Sequence, residues 1–287
     1  MTSTTGSAAS PTSPGLDRVQ APEVLAAAGA VRRGQVFDLG LPIDTTMPQA
    51  PPPLAVPFSL LFSATAERTP SGGPFGFALD AIIGSIHTST HLDGLAHVSH
   101  DGVLFGGVNA DESRGDGGYR VHGVETVPPI VTRGIVLDVA ALHGTDRLPD
   151  GYEVSVADVQ EALAAIDVTV RRGDAVLVRT GKVGQYFTDP TAYEEAEPGV
   201  GPDAAVWLYD QGMAILGTDT SGTEPIPFTY PDRSTHVEML VERGVHLIES
   251  LTLDEARHAA PPVGLFVCLP LKITGATGSW VRPILVT

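Results

Sequence analysis

The stretch Ile86-His-Thr-Ser-Thr-His-Leu-Asp-Gly-Leu-Ala-His97 gathers His87, His91, Asp93 and His97 in one short run. Neutral imidazole nitrogens and carboxylate oxygens are the usual non-thiol ligands of zinc, and they also suit manganese and iron. All four positions are odd. In an extended strand, residues two apart point to the same face. The neighbours Ile82, Ile83, Ile86, Thr88 and Thr90 are β-branched and favour extension. His87, His91 and Asp93 are therefore expected to project together from a strand. Gly94 permits a bend, and His97 returns over the same site from the following turn. A helix would align His87 with His91 but carry Asp93 away. Four such groups on one face would be costly to desolvate without an ion or water to compensate them. The expectation is a metal site. His122, His143, His246 and His258 read as ordinary surface or core residues. His100 is nearer the cluster but has the wrong parity, and is left as a possible outer-shell residue.

Outward from this run, the chain alternates strand and helix signals. Residues 1–17 are mostly Ser, Thr, Gly, Ala and Pro and are expected to form a disordered tail. A short helix over Glu23–Ala28 is followed by a strand at Gln35–Leu39. Pro-rich segment 44–57 and segment 65–76 read as loops, the first at the mouth of a site. Gly134–Val139 and Ala175–Arg179 read as strands. Between them, Ser155-Val-Ala-Asp158 is a capping box opening a helix to Ile166. Pro202 opens a helix to Gln211 that Gly212 stops. Met213–Leu216 is a strand, His236–Arg243 a helix and Val245–Glu249 a strand. Thr252-Leu-Asp-Glu255 caps a short helix, and Phe266–Ile273 is a late strand. The pattern is α/β with extra strands. With no repeat and no internal linker, residues 18–287 are expected to form a single domain.

Composition narrows the function. The 287 residues are 43% hydrophobic with a formal net charge of −17, enough for a full core. The acidic balance argues against nucleic acid and against an anionic membrane surface. No apolar run reaches the roughly 20 residues of a membrane span. The N-terminus lacks a basic region and an apolar core, so no secretion signal is expected. The lone Cys268 excludes disulfides within the chain and thiolate clusters, and its apolar surroundings suit a buried strand. These features fit a soluble cytoplasmic protein acting on a small-molecule substrate.

Other motifs are sparse. No Gly-x-Ser-x-Gly or His-Glu-x-x-His occurs, and Thr180-Gly-Lys182 lacks the preceding glycine of a phosphate loop. Asp219-Thr-Ser-Gly222, followed by Glu224, reads equally as a site loop after a strand and as a tight turn. Glu249 ends the apolar run Val245-His-Leu-Ile, where a half-buried carboxylate needs a partner. His236 and Glu249 form a second candidate pair.

The chain resembles the cyclase family of metal-dependent hydrolases, which includes bacterial kynurenine formamidases and isatin hydrolases. The family hallmark His-x-Gly-Thr-His-x-Asp-x-Pro-x-His is matched at His87, Thr90, His91, Asp93 and His97. Ser89 stands at the hallmark Gly and Leu95 at the Pro. Further similarity runs through Asp38–Pro42, His100–Gly102, Pro128–Arg133, Gly173-Asp174, Arg179–Gly181 and Leu271–Ser279. The length is similar to that of the longer branch. The formamidases carry an N-terminal Trp near the substrate, which the Asp38–Pro53 stretch lacks.

The resemblance implies an α/β fold, a mixed sheet with a β-barrel-like core and flanking helices, of the swivelling β/β/α type. It implies His87, His91, Asp93, His236 and Glu249 as metal ligands and His97 as the catalytic proton donor and acceptor. One or two divalent ions, zinc or manganese, would be held per chain. A homodimer or homotetramer is also implied. The expected chemistry is hydrolysis of an amide, lactone or N-formyl compound through a metal-activated water. A metal-dependent dehydratase or lyase, and a non-catalytic metal-binding protein on the same scaffold, are the alternatives.

Overall fold

The computed structural model describes residues 13–65, 75–227 and 233–287. Nine strands of these residues form one mixed sheet. In chain order the strands are β1 (Val36–Asp38), the hairpin pair β2 (Ser59–Ala64) and β3 (Leu79–Ile83), and β4 (His91–Asp93). They continue with β5 (Ile130–Asp138), β6 (Ala175–Arg179), β7 (Ile215–Thr218) and β8 (Leu247–Glu249). Last come β9 (Val263–Cys268), β10 (Gly278–Trp280) and β11 (Ile284–Val286). The large sheet runs β1-β11-β9-β5-β6-β7-β8-β4-β10, and β2 pairs only with β3. Strands β5 to β8 are parallel, and both flanks are antiparallel. The sheet curls into a half-barrel with helices against it, as the α/β expectation required.

The parallel centre explains the continuous apolar runs in the sequence. Strands covered on both faces need no polar alternation. Ile135, Leu137, Val176 and Val178 pack on one side with Val159 and Leu163 of helix α2 (Val156–Ala165). Ala204 and Leu208 of helix α4 (Pro202–Gln211) join them there. The alternate residues Val136, Ala175, Leu177 and Ile215 face the other way, onto Phe266, Leu285 and Leu251. Helix α1 (Ala21–Ala28) lies against the flank, and α3 (Pro190–Glu195) lies beyond β6. The Ser155 and Asp158 capping box forms as expected, and Gly212 ends α4 at φ 115°.

Several expectations shift. Residues 1–12 of the expected tail lie outside the described residues, as does most of the 65–76 loop. Residues 13–17 join the body: Leu16 is buried, and the Ser13 hydroxyl donates to the Gly244 carbonyl at 2.6 Å. The late strand is Val263–Cys268 rather than Phe266–Ile273, because Pro270 has no N–H for a ladder. The helix at His236–Arg243 is a wider π-type turn over Val237–Glu242 with His236 at its entry. No helix among the described residues is long and apolar enough to cross a membrane.

Candidate metal centre

The site is built on the β8–β4–β10 edge of the sheet. Glu249 pairs with His91, and Ile248 with Leu92, across the antiparallel β8–β4 ladder. Leu92 and Ile248 point into the apolar core. The period of two therefore sends His91, Asp93 and Glu249 to the opposite face together. His236 reaches the same point from the entry of the π-type turn. Its Nε2 lies 3.4 Å from Asp93 Oδ2 and 3.3 Å from Glu249 Oε1. His91 Nε2 lies 3.4 Å from Asp93 Oδ1 and 3.3 Å from Glu249 Oε2.

This spacing has a physical meaning. Ligand atoms about 2.0–2.2 Å from a tetrahedral ion stand roughly 3.3–3.5 Å from one another. Each imidazole lies at that spacing from one oxygen of each carboxylate, His91 from Asp93 Oδ1 and Glu249 Oε2 and His236 from Asp93 Oδ2 and Glu249 Oε1. Buried His91 Nε2 and Asp93 Oδ2 have no hydrogen-bond partner among the described residues. Buried polar atoms are rarely left unpaired, and both belong to this cluster. A divalent cation fits this donor set.

The electrostatics agree. Burial works against charge on His91, but the Asp93 and Glu249 carboxylates outweigh it and raise its pKa to about 10. Burial also opposes ionisation of Glu249, yet His236 and His91 bring it down to about 2 against the repulsion of Asp93. Asp93 is held well below the usual carboxylate range because four imidazoles outweigh its desolvation. The pocket thus demands positive charge at its centre, from protons or from an ion.

The imidazoles are also oriented from behind. His91 Nδ1 donates to the Ser89 carbonyl at 2.9 Å, which leaves the Nε2 lone pair for the site. His236 Nδ1 faces the Glu224 carboxylate. The Thr223 hydroxyl donates to Glu249 Oε1 at 2.8 Å. These two residues assign the 219–224 loop: its end supports the site. Asp219 itself accepts from the Thr180 and Gly181 amides and the Thr180 hydroxyl, and ties two loops together.

His87 and His97 form the open side of the cluster, about a quarter exposed each. His87 is not on the strand. Only His91–Asp93 is extended, and His87 arrives through a bend. The cause is Ser89, whose φ of 54° is left-handed and breaks the run. His87 Nδ1 lies 2.7 Å from Asp93 Oδ1, and its Nε2 meets the Thr277 hydroxyl at 2.8 Å. His97 comes from the following turn, as expected, and stacks on His87 at 3.7 Å between ring centroids. Its Nε2 is 4.0 Å from Asp93 Oδ1. Burial lowers its pKa to about 4 against the pull of Asp93, so it is neutral near pH 7. His87, Asp93 and His97 could hold an ion as one group, and His91, Asp93 and Glu249 as another, with Asp93 common to both.

All six residues singled out in the sequence thus meet in one place. His100 does not: it lines a separate cleft with Tyr209 and Arg243. Residues not foreseen are Thr223, Thr277 and His246. Buried His246, read as an ordinary residue, bonds the Asp93 carbonyl through Nδ1 at 2.8 Å.

The sequence matches the family model described as putative cyclase over residues 37–225, more than half of the chain. The chain belongs to this family. A solved structure titled a novel cyclase is similar over 95% of this chain and 93% of its own, with TM-score 0.87 and 28% identity. Isatin hydrolase A from Ralstonia solanacearum shares the fold, with TM-score 0.65 and 21% identity over 93% of this chain and 97% of its own. Among characterised sequences, kynurenine formamidase from Bacillus cereus is 24% identical over 255 residues, covering 89% of this chain and 99% of that protein.

Proposed function

We propose that this cyclase-family protein is a metal-dependent hydrolase that opens the amide or ester bond of a small cyclic amide, lactone or N-formyl compound. The observation that carries this reading is the convergence of His91, Asp93, His236 and Glu249, two of whose buried atoms have no hydrogen-bond partner among the described residues. The relatives support it, being a kynurenine formamidase and, in fold, an isatin hydrolase.

In this reading those four residues, with His87 beside them, hold one or two divalent ions, zinc or manganese. The bound ion supplies Lewis acidity, which brings a water pKa towards neutrality and polarises a carbonyl. Glu224 and the Ser89 carbonyl hold the imidazoles of His236 and His91 in their ligating tautomers. His97, neutral and open to the cleft, takes the proton of the attacking water and returns it to the leaving nitrogen or oxygen. The His87 ring stacked on it limits its rotation, so the proton travels between fixed points.

The test is turnover of isatin, N-formylkynurenine and a small lactone panel in isotope-labelled water, before and after chelation. Label in a newly formed carboxylic acid, with loss of turnover on chelation, is the expected result. A dehydrated product without label, or turnover indifferent to the chelator, would contradict the reading.

A further inference from the structure

Segment 221–226 brings Thr223 to Glu249 and Glu224 to His236. Segment 197–200 lies beside it as a splint. The Glu197 N–H donates to the Ile226 carbonyl at 3.0 Å, and the Ile226 N–H returns to the Glu197 carbonyl at 2.9 Å. The Val200 N–H donates to the Thr223 carbonyl at 2.8 Å. Between these bonds, Gly199 lies so close to Glu224 that a Cβ on it would stand 2.2 Å from the Glu224 carbonyl carbon. Any side chain at position 199 would therefore displace the Glu224 backbone.

The turn ahead of Thr223 hangs on one side chain, that of fully buried Glu197. Its Oε2 accepts from the Ser221 N–H at 2.7 Å and from the Ser221 hydroxyl at 2.9 Å. Its Oε1 accepts from the Gly222 N–H at 2.7 Å. Both oxygens are acceptors, which an amide cannot reproduce, because its NH₂ would face a donor. The splint is anchored upstream as well. Lys182, fully buried just after β6, donates through Nζ to the Ala192 carbonyl at 2.7 Å and to the Ala196 carbonyl. Ala196 immediately precedes Glu197. A continuous path thus runs from the central sheet through Lys182 and Glu197 to the turn that carries Thr223 and Glu224.

We propose that Glu197 is a positioning residue of the metal centre: by holding the Ser221–Gly222 turn, it sets where Thr223 meets Glu249 and where Glu224 meets His236. The inference rests on the metal-centre reading of the proposed function. Two of the four residues around the candidate ion take their orientation from this one turn, so a displacement of the turn reaches both together. Outer partners that orient metal ligands are worth about 10–100-fold in metal affinity.

The test uses three variants of the full chain. Glu197→Gln keeps the size and sets an amide N–H against the turn. Ser221→Ala removes only the hydroxyl donor and carries the test where Glu197→Gln does not fold. Asp174→Asn is the control, a buried carboxylate paired with Arg133 at the opposite end of β6. Competition of cobalt(II) against a chromophoric chelator gives the affinity, and the visible bands of the cobalt protein report its coordination. Glu197→Gln should lose about tenfold in affinity and alter these bands. Ser221→Ala should move both in the same direction by less, and Asp174→Asn should leave both unchanged. Combined with Glu224→Gln, Glu197→Gln should lose less than the product of the two single losses, because both act through one turn. In the metal-free protein, the Nδ1 resonance of isotope-labelled His236 should shift in Glu197→Gln and stay in the control. A wild type that takes up no metal would refute the metal centre. An unmoved His236 resonance, fully multiplicative losses, or an equal change in the control would overturn the role of Glu197 by itself.

Discussion

Gly278 and His87 occupy one space: a Cβ on Gly278 would stand 2.7 Å from His87 Cε1. Gly278 lies opposite Asp93 in the β10–β4 ladder, and its bare backbone lets the imidazole lie over the sheet. Gly278→Ala is expected to push His87 away from Asp93 and to destabilise the fold by about 1–3 kcal/mol, the usual cost of overpacking. Chemical denaturation measures the stability, and the His87 imidazole resonances report the displacement. An unchanged His87 environment would show that the ring has room to spare.

Replacing His97 separates catalysis from metal binding. His97→Ala should keep its metal and lose turnover by about 10²–10⁴-fold, the span assigned to a general acid–base group. Metal analysis and steady-state rates on one preparation decide it. Loss of the metal would make His97 a ligand together with His87 and Asp93.

Glu224 acts through His236. Glu224→Gln keeps the shape but removes the charge behind the imidazole, so metal affinity should fall about 10–100-fold. Competition against a chromophoric chelator measures this without reference to turnover. Equal affinity would limit Glu224 to a structural partner of His236.

Acid should loosen the far side of the sheet through Asp138. Burial pushes this carboxyl up, but the Ala141 N–H, Arg257 and Arg179 outweigh it and hold its pKa below 3.8. A depressed carboxylate stabilises the fold fully above its unfolded value and loses that contribution as pH falls through its folded one. Asp138→Asn is therefore expected to cost about 1–3 kcal/mol at neutral pH, as for charged hydrogen bonds. Wild-type and variant stabilities should converge below pH 3.8. A gap that persists in acid would assign the loss to packing.

How far the sequence could be read follows from where each residue sits. His91 and Asp93 were legible because strand parity is a local property, and Glu249 because an apolar run ended in a carboxylate. The parallel strands were legible as continuous apolar runs, Ala175–Arg179 above all. Parity alone puts His87 on the strand because it cannot sense the left-handed Ser89, although a glycine at this hallmark position signals such a turn. Thr223 and Thr277 are not legible as site residues, and Glu224 is legible only through a loop that reads equally as a site and as a tight turn. Their roles depend on which loops meet at the β8–β4–β10 edge, and no local pattern encodes that meeting. The end of β9 is hidden in the sequence because apolar Leu269, Leu271 and Ile273 continue the strand's chemistry past Pro270, yet they lie exposed.

The most direct test of the central claim is the metal content of purified, reconstituted protein, beside His91→Ala and Asp93→Ala. The account predicts at least one divalent ion per wild-type chain, removed by either substitution while the fold persists. A folded wild-type chain that takes up no zinc and no manganese would contradict it.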